Sequence, residues 1–383
     1  MPVVVVVMDT SQETLYAIAL AHAGYYCPTP MAELYRRLGS ATAVAEQRAH
    51  LRECGVDVPQ RLADALRRLD ESVARAEREM EFCAAHSIRP LPFHHPDYPE
   101  RLRQCPDAPL LLFCRGTATL NRPRVVSIVG TRHATVYARD VVHHFVHALR
   151  KLCPDVLIVS GLAYGVDIVA HREALAVGYD TVGVLAHGLD TIYPSAHRDT
   201  AALMTRQGAL LTEFLTHTNA DKRNFVRRNR IVAGMADACI LVESAAKGGG
   251  LITMDLARSY HREVFALPGS VLSGFSDGCN NLIREQKAAM LTSADEFAEL
   301  MHWKEDAAQG ARNVPKVVER QLFPQLDDDE QTVVTALQQC NDQQLNLLAA
   351  RLQMPVHRIA SAMFTLEMKG VTSRLAGDVC HLI

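Results

Sequence analysis

Apolar positions in the first ninety residues recur at helical spacing. Leu15, Ile18, Ala19 and Ala23 share one face of a 3.6-residue period. Pro28–Pro30 should break that run, and Met31–Leu38 resumes it before a stop at Gly39-Ser40. Leu62–Phe82, rich in Ala, Arg, Glu and Leu, predicts one long surface helix. Ala108–Phe113 reads as a short strand, and near Asn121 the pattern changes. Compact apolar runs now alternate with helix-length segments: Val125–Val129, Val156–Ser160, Thr181–Leu185, Leu210–Thr212, Cys239–Val242 and Val264–Leu267. Such near-continuous runs predict a parallel sheet covered on both faces, hence an α/β, doubly wound, mostly parallel Rossmann-like domain. Periodicity fades from Ala307 to Asp329. The acidic run Asp327–Glu330 then suits a helix N-terminus. Three helical stretches follow, Gln331–Gln339, Gln343–Leu352 and Val356–Lys369. Val371–Ile383 alternates loosely around a hairpin signal at Ala376-Gly377-Asp378, completing the outline of a winged helix.

Composition narrows the picture. A chain of 383 residues has room for two or three domains, and 48% hydrophobic with 22% charged residues is a globular balance, not a disordered one. The net charge of −3 excludes a uniformly basic coat, so any polyanion site must be a local cluster. The ten cysteines are scattered without a Cys-x-x-Cys pair, which fits reduced thiols in a cytoplasm rather than a zinc module or a disulfide framework. Val3–Val7 is too short to span a bilayer and reads as a buried strand or a product of the chosen start; no membrane association is expected. His94-His95 lies in a loop with nothing nearby to complete a ligand set, and no metal or cofactor is expected.

The candidate chemistry sits just beyond strand ends, where an open α/β sheet turns toward its ligand crevice. Gly130-Thr131-Arg132 follows the first such strand and could cradle a phosphate or simply make a turn. Ser160-Gly161 opens a second glycine-lined ledge running to Asp167 and His171. Asp167 could cap the next helix, and a lone helical His171 is better explained by packing than by catalysis. Lys222, Arg223, Arg227, Arg228 and Arg230 crowd a segment that leads into a helix at Ile231. Basic groups at a helix start oppose the dipole, which a bound anion would relieve, and Phe225 offers a face for a base. A solvated basic loop is the plainer alternative. Lys247-Gly248-Gly249-Gly250, followed by Thr253, lets backbone approach a phosphate, but the lysine precedes the glycines, unlike a Walker loop. No nucleophile elbow, metal set or paired carboxylates stand out, so no catalytic residue is assigned.

These motifs, in order, closely resemble the DNA-processing protein A (DprA, or Smf) family. The similarity runs through Asp97-Tyr98-Pro99, Gly130-Thr131-Arg132, Ser160-Gly161-Leu162-Ala163, Gly165-Val166-Asp167, Gly188-Leu189-Asp190 and Tyr193-Pro194. It continues through Asn224-Phe225, Arg227–Arg230, Leu251-Ile252-Thr253, Pro268-Gly269 and Asn281-Leu282-Ile283. The resemblance implies a helical SAM-like domain over 1–90, an extended Rossmann-like DNA-binding domain over 91–305, a linker over 306–329 and a winged helix over 330–383. It further implies a non-enzymatic, homodimeric mediator that protects single-stranded DNA during natural transformation and loads the RecA recombinase onto it. By position, Arg132, Asn224, Phe225, Arg227, Arg228 and Arg230 would line the strand, and Gly130, Ser160, Gly161 and Gly248–Gly250 would supply backbone contacts. Two departures stand out: Gly248-Gly249-Gly250 replaces the usual Ser-Gly-Ser, and Val226 replaces a proline. The alternative is a nucleotide-cleaving hydrolase on a related scaffold, with Glu243 or Asp167 as acid/base group.

Overall fold

The computed structural model describes residues 10–51, 58–304, 326–341, 343–369, 371–375 and 379–382. Expectations for Val3–Val7, most of the 306–329 linker and the turn at Ala376-Gly377-Asp378 lie outside these residues. The contacts divide the chain into two compact units, Met1–Gln309 and Gly310–Ile383.

In the larger unit, β1 (Arg89–Pro92), β2 (Leu111–Gly116), β3 (Val125–Val129), β4 (Leu157–Ser160), β5 (Asp180–Val184), β6 (Gly208–Thr212), β7 (Ala238–Leu241), β8 (Glu263–Ala266) and β9 (Ala289–Met290) form one sheet. Their spatial order is β1-β2-β6-β5-β4-β3-β7-β8-β9. Every pairing from β6 across to β9 is parallel, while β1–β2 and β2–β6 are antiparallel. The period of two places both faces in core. Val125 and Val129 of β3 join one apolar cluster with the N-terminal helices, and Val126 and Ile128 join another under the helices Val136–Leu152 and Ala294–Leu300. The chain winds from β3 through β4 and β5 to β6, then returns to the other side of β3 with β7. That reversal opens a crevice beyond the carboxyl ends of β3 and β7, the usual ligand position in such sheets.

Several local expectations shift by physical detail. The break expected at Pro28–Pro30 is present but falls earlier, between the helices Thr10–Ala23 and Pro28–Leu38, and Pro28 begins the second helix because its first turn needs no N–H from proline. The stretch Leu62–Phe82 is two helices, Gln60–Arg67 and Leu69–Ala85, separated at Arg68. β1 carries Pro90 and Pro92, tolerable only because it is an edge strand. Gln343-Gln344 is a strand before the helix Leu345–Leu352.

The smaller unit packs helices Asp328–Gln339, Leu345–Leu352 and Val356–Met368 with a three-stranded antiparallel sheet, a winged-helix arrangement. Its acidic start is a capping box: Asp327 accepts from the Glu330 N–H, and Glu330 accepts from the Asp327 N–H. Among the described residues no helix is long and apolar enough to cross a membrane.

His171 lies wholly inside the sheet–helix layer. Its Nδ1 stands 2.7 Å from the Thr181 hydroxyl, and its Nε2 has no partner. Burial, reinforced by the Arg228 and His197 charges, pulls its imidazole down to about 3. The unfolded chain therefore takes up this proton near pH 6.5, well before the native chain does, so acidification favours unfolding. Stability should fall by up to ~1.4 kcal/mol per pH unit below ~6.5 through this group. Denaturant unfolding between pH 7 and 5 should show that slope, and His171→Gln should flatten it.

Candidate nucleic-acid interface

The switch-point crevice is a cleft of about 720 Å³. Four segments build it. The loop after β3 brings Gly130, Thr131 and Arg132; the loop after β4 brings Gly161 and Ala163; the loop after β7 brings Lys247 through Gly250, with Thr253; and one helix brings Lys222, Phe225, Arg228 and Asn229. Of the residues expected to contact the strand, Ser160, Asn224, Arg227 and Arg230 do not line it; nor do Arg223, His171 and Glu243.

That helix is where the sequence reading departs most from the fold. The basic segment is not a loop leading to a helix at Ile231; it is the helix, Lys222–Gly234, begun by Asp221 accepting from the Asn224 N–H at 2.7 Å. Helical periodicity then sorts the charges by direction. Lys222, Phe225, Asn229 and Val232 form one stripe, facing the cleft. Arg227 and Arg230 lie on another side and converge on Glu213: Arg227 Nη2 is 2.7 Å and Arg230 Nη2 is 2.6 Å from the same oxygen, Oε2. The Glu213 side chain is 3% exposed, so this is an internal ion triad. Arg227 also donates to the Tyr25 carbonyl, and Tyr25 donates to Asn224 Oδ1 at 3.0 Å. Together these bonds dock the N-terminal helices against the cleft-forming helix.

Arg228 is buried beneath the β4 loop. It donates to the carbonyls of Gly161, at 2.5 Å, and Val184. A Cβ at position 161 would fall 2.4 Å from this guanidinium, so glycine is what lets the loop close over it. Burial lowers the Arg228 guanidinium to about 10, which leaves it charged at neutral pH. Asp167 does not cap its own helix; its carboxylate reaches back to the N–H groups of Gly161 and Ala163. Burial raises that carboxyl above its ordinary range, and the Arg228 charge offsets only part of the rise. Glu243 accepts from the Thr135 N–H and hydroxyl, and its carbonyl accepts from the Thr131 N–H. Both carboxylates are engaged in holding loops. The Ser160 hydroxyl is likewise internal, donating to the Ile128 carbonyl at 2.6 Å.

What faces solvent is a small cationic and aromatic set. Arg132, Lys222 and Lys247 are exposed. The Arg132 guanidinium lies over the Phe225 ring at 4.7 Å from its centroid, and the half-exposed Tyr193 ring packs against Phe225 at 5.9 Å. The helix Gly249–Ser259, whose start lines the same cleft, begins at Gly248 without a side-chain cap; the Leu251 N–H is taken by the Gly248 carbonyl, which leaves the Gly249 and Gly250 amides and the dipole for an anion. Cβ atoms at 248 and 250 would meet Ser244 Oγ at 2.1 Å and Leu241 Cδ1 at 2.7 Å, whereas Gly249 has open space. The Ser-Gly-Ser hydroxyls are thus replaced here by a closer approach of neighbouring side chains. Sequence reasoning missed His133, Asn229 and Ile252 as lining residues. Asn229 was within reach, four residues after Phe225, had the segment been read as helical.

The triad makes a stability prediction. Glu213→Ala leaves two poorly solvated guanidinium groups facing each other and should cost ~3–5 kcal/mol in denaturant unfolding. Replacing the whole triad, Glu213→Met with Arg227→Met and Arg230→Met, should recover most of that loss, because no guanidinium is then left unpaired. Wild-type stability in Glu213→Ala would show the triad to be idle.

With the geometry described, similarity to known proteins can be set beside it. The model for "DNA recombination-mediator protein A" matches residues 89–302, and that for the "DprA winged helix domain" matches 319–378. The DNA processing protein DprA of Bacillus subtilis is 36% identical over 215 residues, covering 56% of this chain and 71% of that protein. Protein Smf of Escherichia coli is 33% identical over 291 residues, covering 74% and 75%. The X-ray structure of DprA from Streptococcus pneumoniae superposes with a TM-score of 0.63 at 29% identity, covering 73% of this chain and 95% of that one. DprA from Helicobacter pylori, described for its unique single-stranded DNA binding mode, gives 0.50 at 28%, covering 56% and 96%. By the match over its sheet domain and the extent of these relatives, the chain belongs to the DNA recombination-mediator protein A family.

Proposed function

We propose that the switch-point cleft holds single-stranded DNA, and that the chain acts without catalysis as a cytoplasmic, homodimeric mediator that passes the strand to the RecA recombinase in natural transformation. The carrying observation is that one cleft is lined both by Arg132, lying over the Phe225 ring, and by the uncapped helix start at Gly248. A phosphate can sit between cation and backbone amides while a neighbouring base lies against an aromatic face. Exposed base faces are a property of unpaired strands, which favours single-stranded over duplex DNA. Arg132, Lys222, Phe225, Lys247 and the Gly130 and Gly248–Gly250 backbone make contact in this scheme. Arg227, Arg228 and Arg230 hold the contacting surface in place. The four-part division at 90, 305 and 329 belongs to the same proposal.

The winged helix has a different task in this reading. Arg358 pairs with Asp329 at 2.5 Å, and Lys369 pairs with Glu330 at the same distance. With those cations committed internally, a protein contact suits the domain better than a DNA groove, where a free basic face is the norm.

Binding of a fluorescent oligothymidylate should weaken with salt at a slope near −0.7 per phosphate contacted. Arg132→Ala and Lys247→Ala should each lower affinity and flatten that slope by about 0.7. Phe225→Ala should cost ~1–3 kcal/mol with the slope unchanged, since stacking releases no counterion. Unchanged affinity and slope in the Arg132→Ala, Lys247→Ala double variant would remove the cleft from consideration.

A further inference from the structure

Away from the cleft, two histidines stand one helical turn apart on the helix Val136–Leu152. His143 and His147 are at i, i+4 spacing and share a face, with ring centroids 4.1 Å apart. The neighbouring helix Val166–Ala176 presents Glu173 to both. His143 Nδ1 is 2.8 Å and His147 Nε2 is 3.1 Å from one carboxylate oxygen, Glu173 Oε2. One ligand atom from each residue lies within 4.8 Å of the other two, and among the described residues no other group of three His, Cys, Asp or Glu has this arrangement.

We propose that His143, His147 and Glu173 form a zinc site, with water as the fourth ligand. Two imidazole nitrogens and one carboxylate oxygen are a ligand set that zinc favours, with bonds of ~2.0–2.2 Å in tetrahedral geometry. Donors around such an ion stand roughly 3.3 Å apart, so the present nitrogen–oxygen separations need open by only a few tenths of an ångström. The side chains are partly exposed, at 50%, 40% and 23%, which gives the ion an entry path and the water a place. Magnesium and calcium, which seek six or more mostly oxygen ligands, are poorly served.

The position gives the ion a structural role. The helix Val136–Leu152 begins after the Gly130–Thr135 loop, and the helix Val166–Ala176 begins after the Ser160–Gly165 loop. A metal bridging them ties together two of the four segments that build the cleft, from about two turns down the first helix. His144, the intervening histidine, is bonded instead to the Asp140 carbonyl of its own helix and takes no part.

The test uses the full chain, stripped with chelator and titrated with zinc by calorimetry and with cobalt(II) by visible absorption. One ion per chain is expected, with the low-coordinate cobalt spectrum and no thiolate charge-transfer band, together with a zinc-dependent rise in melting temperature. His143→Ala, His147→Ala and Glu173→Gln should each weaken zinc binding by ~100-fold or more, the upper end of the cost of losing even an outer partner. His144→Ala should leave it unchanged, and circular dichroism checks that each variant is folded. Absence of stoichiometric uptake, uptake that survives His147→Ala, or a thiolate band pointing to cysteine ligands would each overturn the assignment.

Discussion

One carboxylate oxygen sets the orientation on which the cleft depends. Glu213, just after β6, receives Arg227 and Arg230 from the helix Lys222–Gly234, and the two bonds fix that helix about its axis. Once those side chains point toward Glu213, the 3.6-residue repeat directs Lys222, Phe225 and Asn229 into the crevice beyond β3 and β7. Arg228, between the two sets, reaches under the β4 loop and holds Gly161 at the cleft wall. The wall of the cleft is thus oriented by an internal ion network whose Arg227 and Arg230 lie outside the cleft lining. A buried triad adds little net stability compared with a well-packed apolar core, but breaking it is costly, which suits a device that specifies one orientation.

The same network explains where the sequence was legible and where it was not. The sheet could be read because its strands are buried on both faces: β3, β4 and β7 are almost wholly apolar, and their predicted bounds hold to within a residue. β1 was hidden by its two prolines, and β9, at two residues, is too short to show alternation. The basic segment concealed its helix for an electrostatic reason. Lys222 and Arg223 in the first turn oppose the dipole, which argues locally against a helix. The offsetting groups, the Asp221 cap and the distant Glu213, lie partly beyond local sequence, and so the charges were counted as one cluster when they face three directions.

Motif order pointed to loops that the structure brings to one cleft but could not tell which of their side chains face it. Arg132 and Phe225 were recognised from residue type and position, and the structure brings them together although 93 residues separate them in sequence. Arg227, Arg228 and Arg230 carry the same charge in the same motif, yet each is engaged by protein acceptors. Residue type alone cannot separate a cation that meets solvent from one that meets a carbonyl. The cleft therefore concentrates a few exposed cations, one aromatic ledge and uncapped backbone amides in a chain whose net charge is −3.

Photo-crosslinking of a single-stranded oligothymidylate to the full chain, with the adducts mapped by mass spectrometry, addresses the central claim most directly. The account predicts adducts on peptides carrying Phe225 and the loop around Arg132, competed by unlabelled single strand far better than by duplex. Adducts confined to the winged helix between Asp328 and Leu382, with the cleft peptides unmodified, would contradict it.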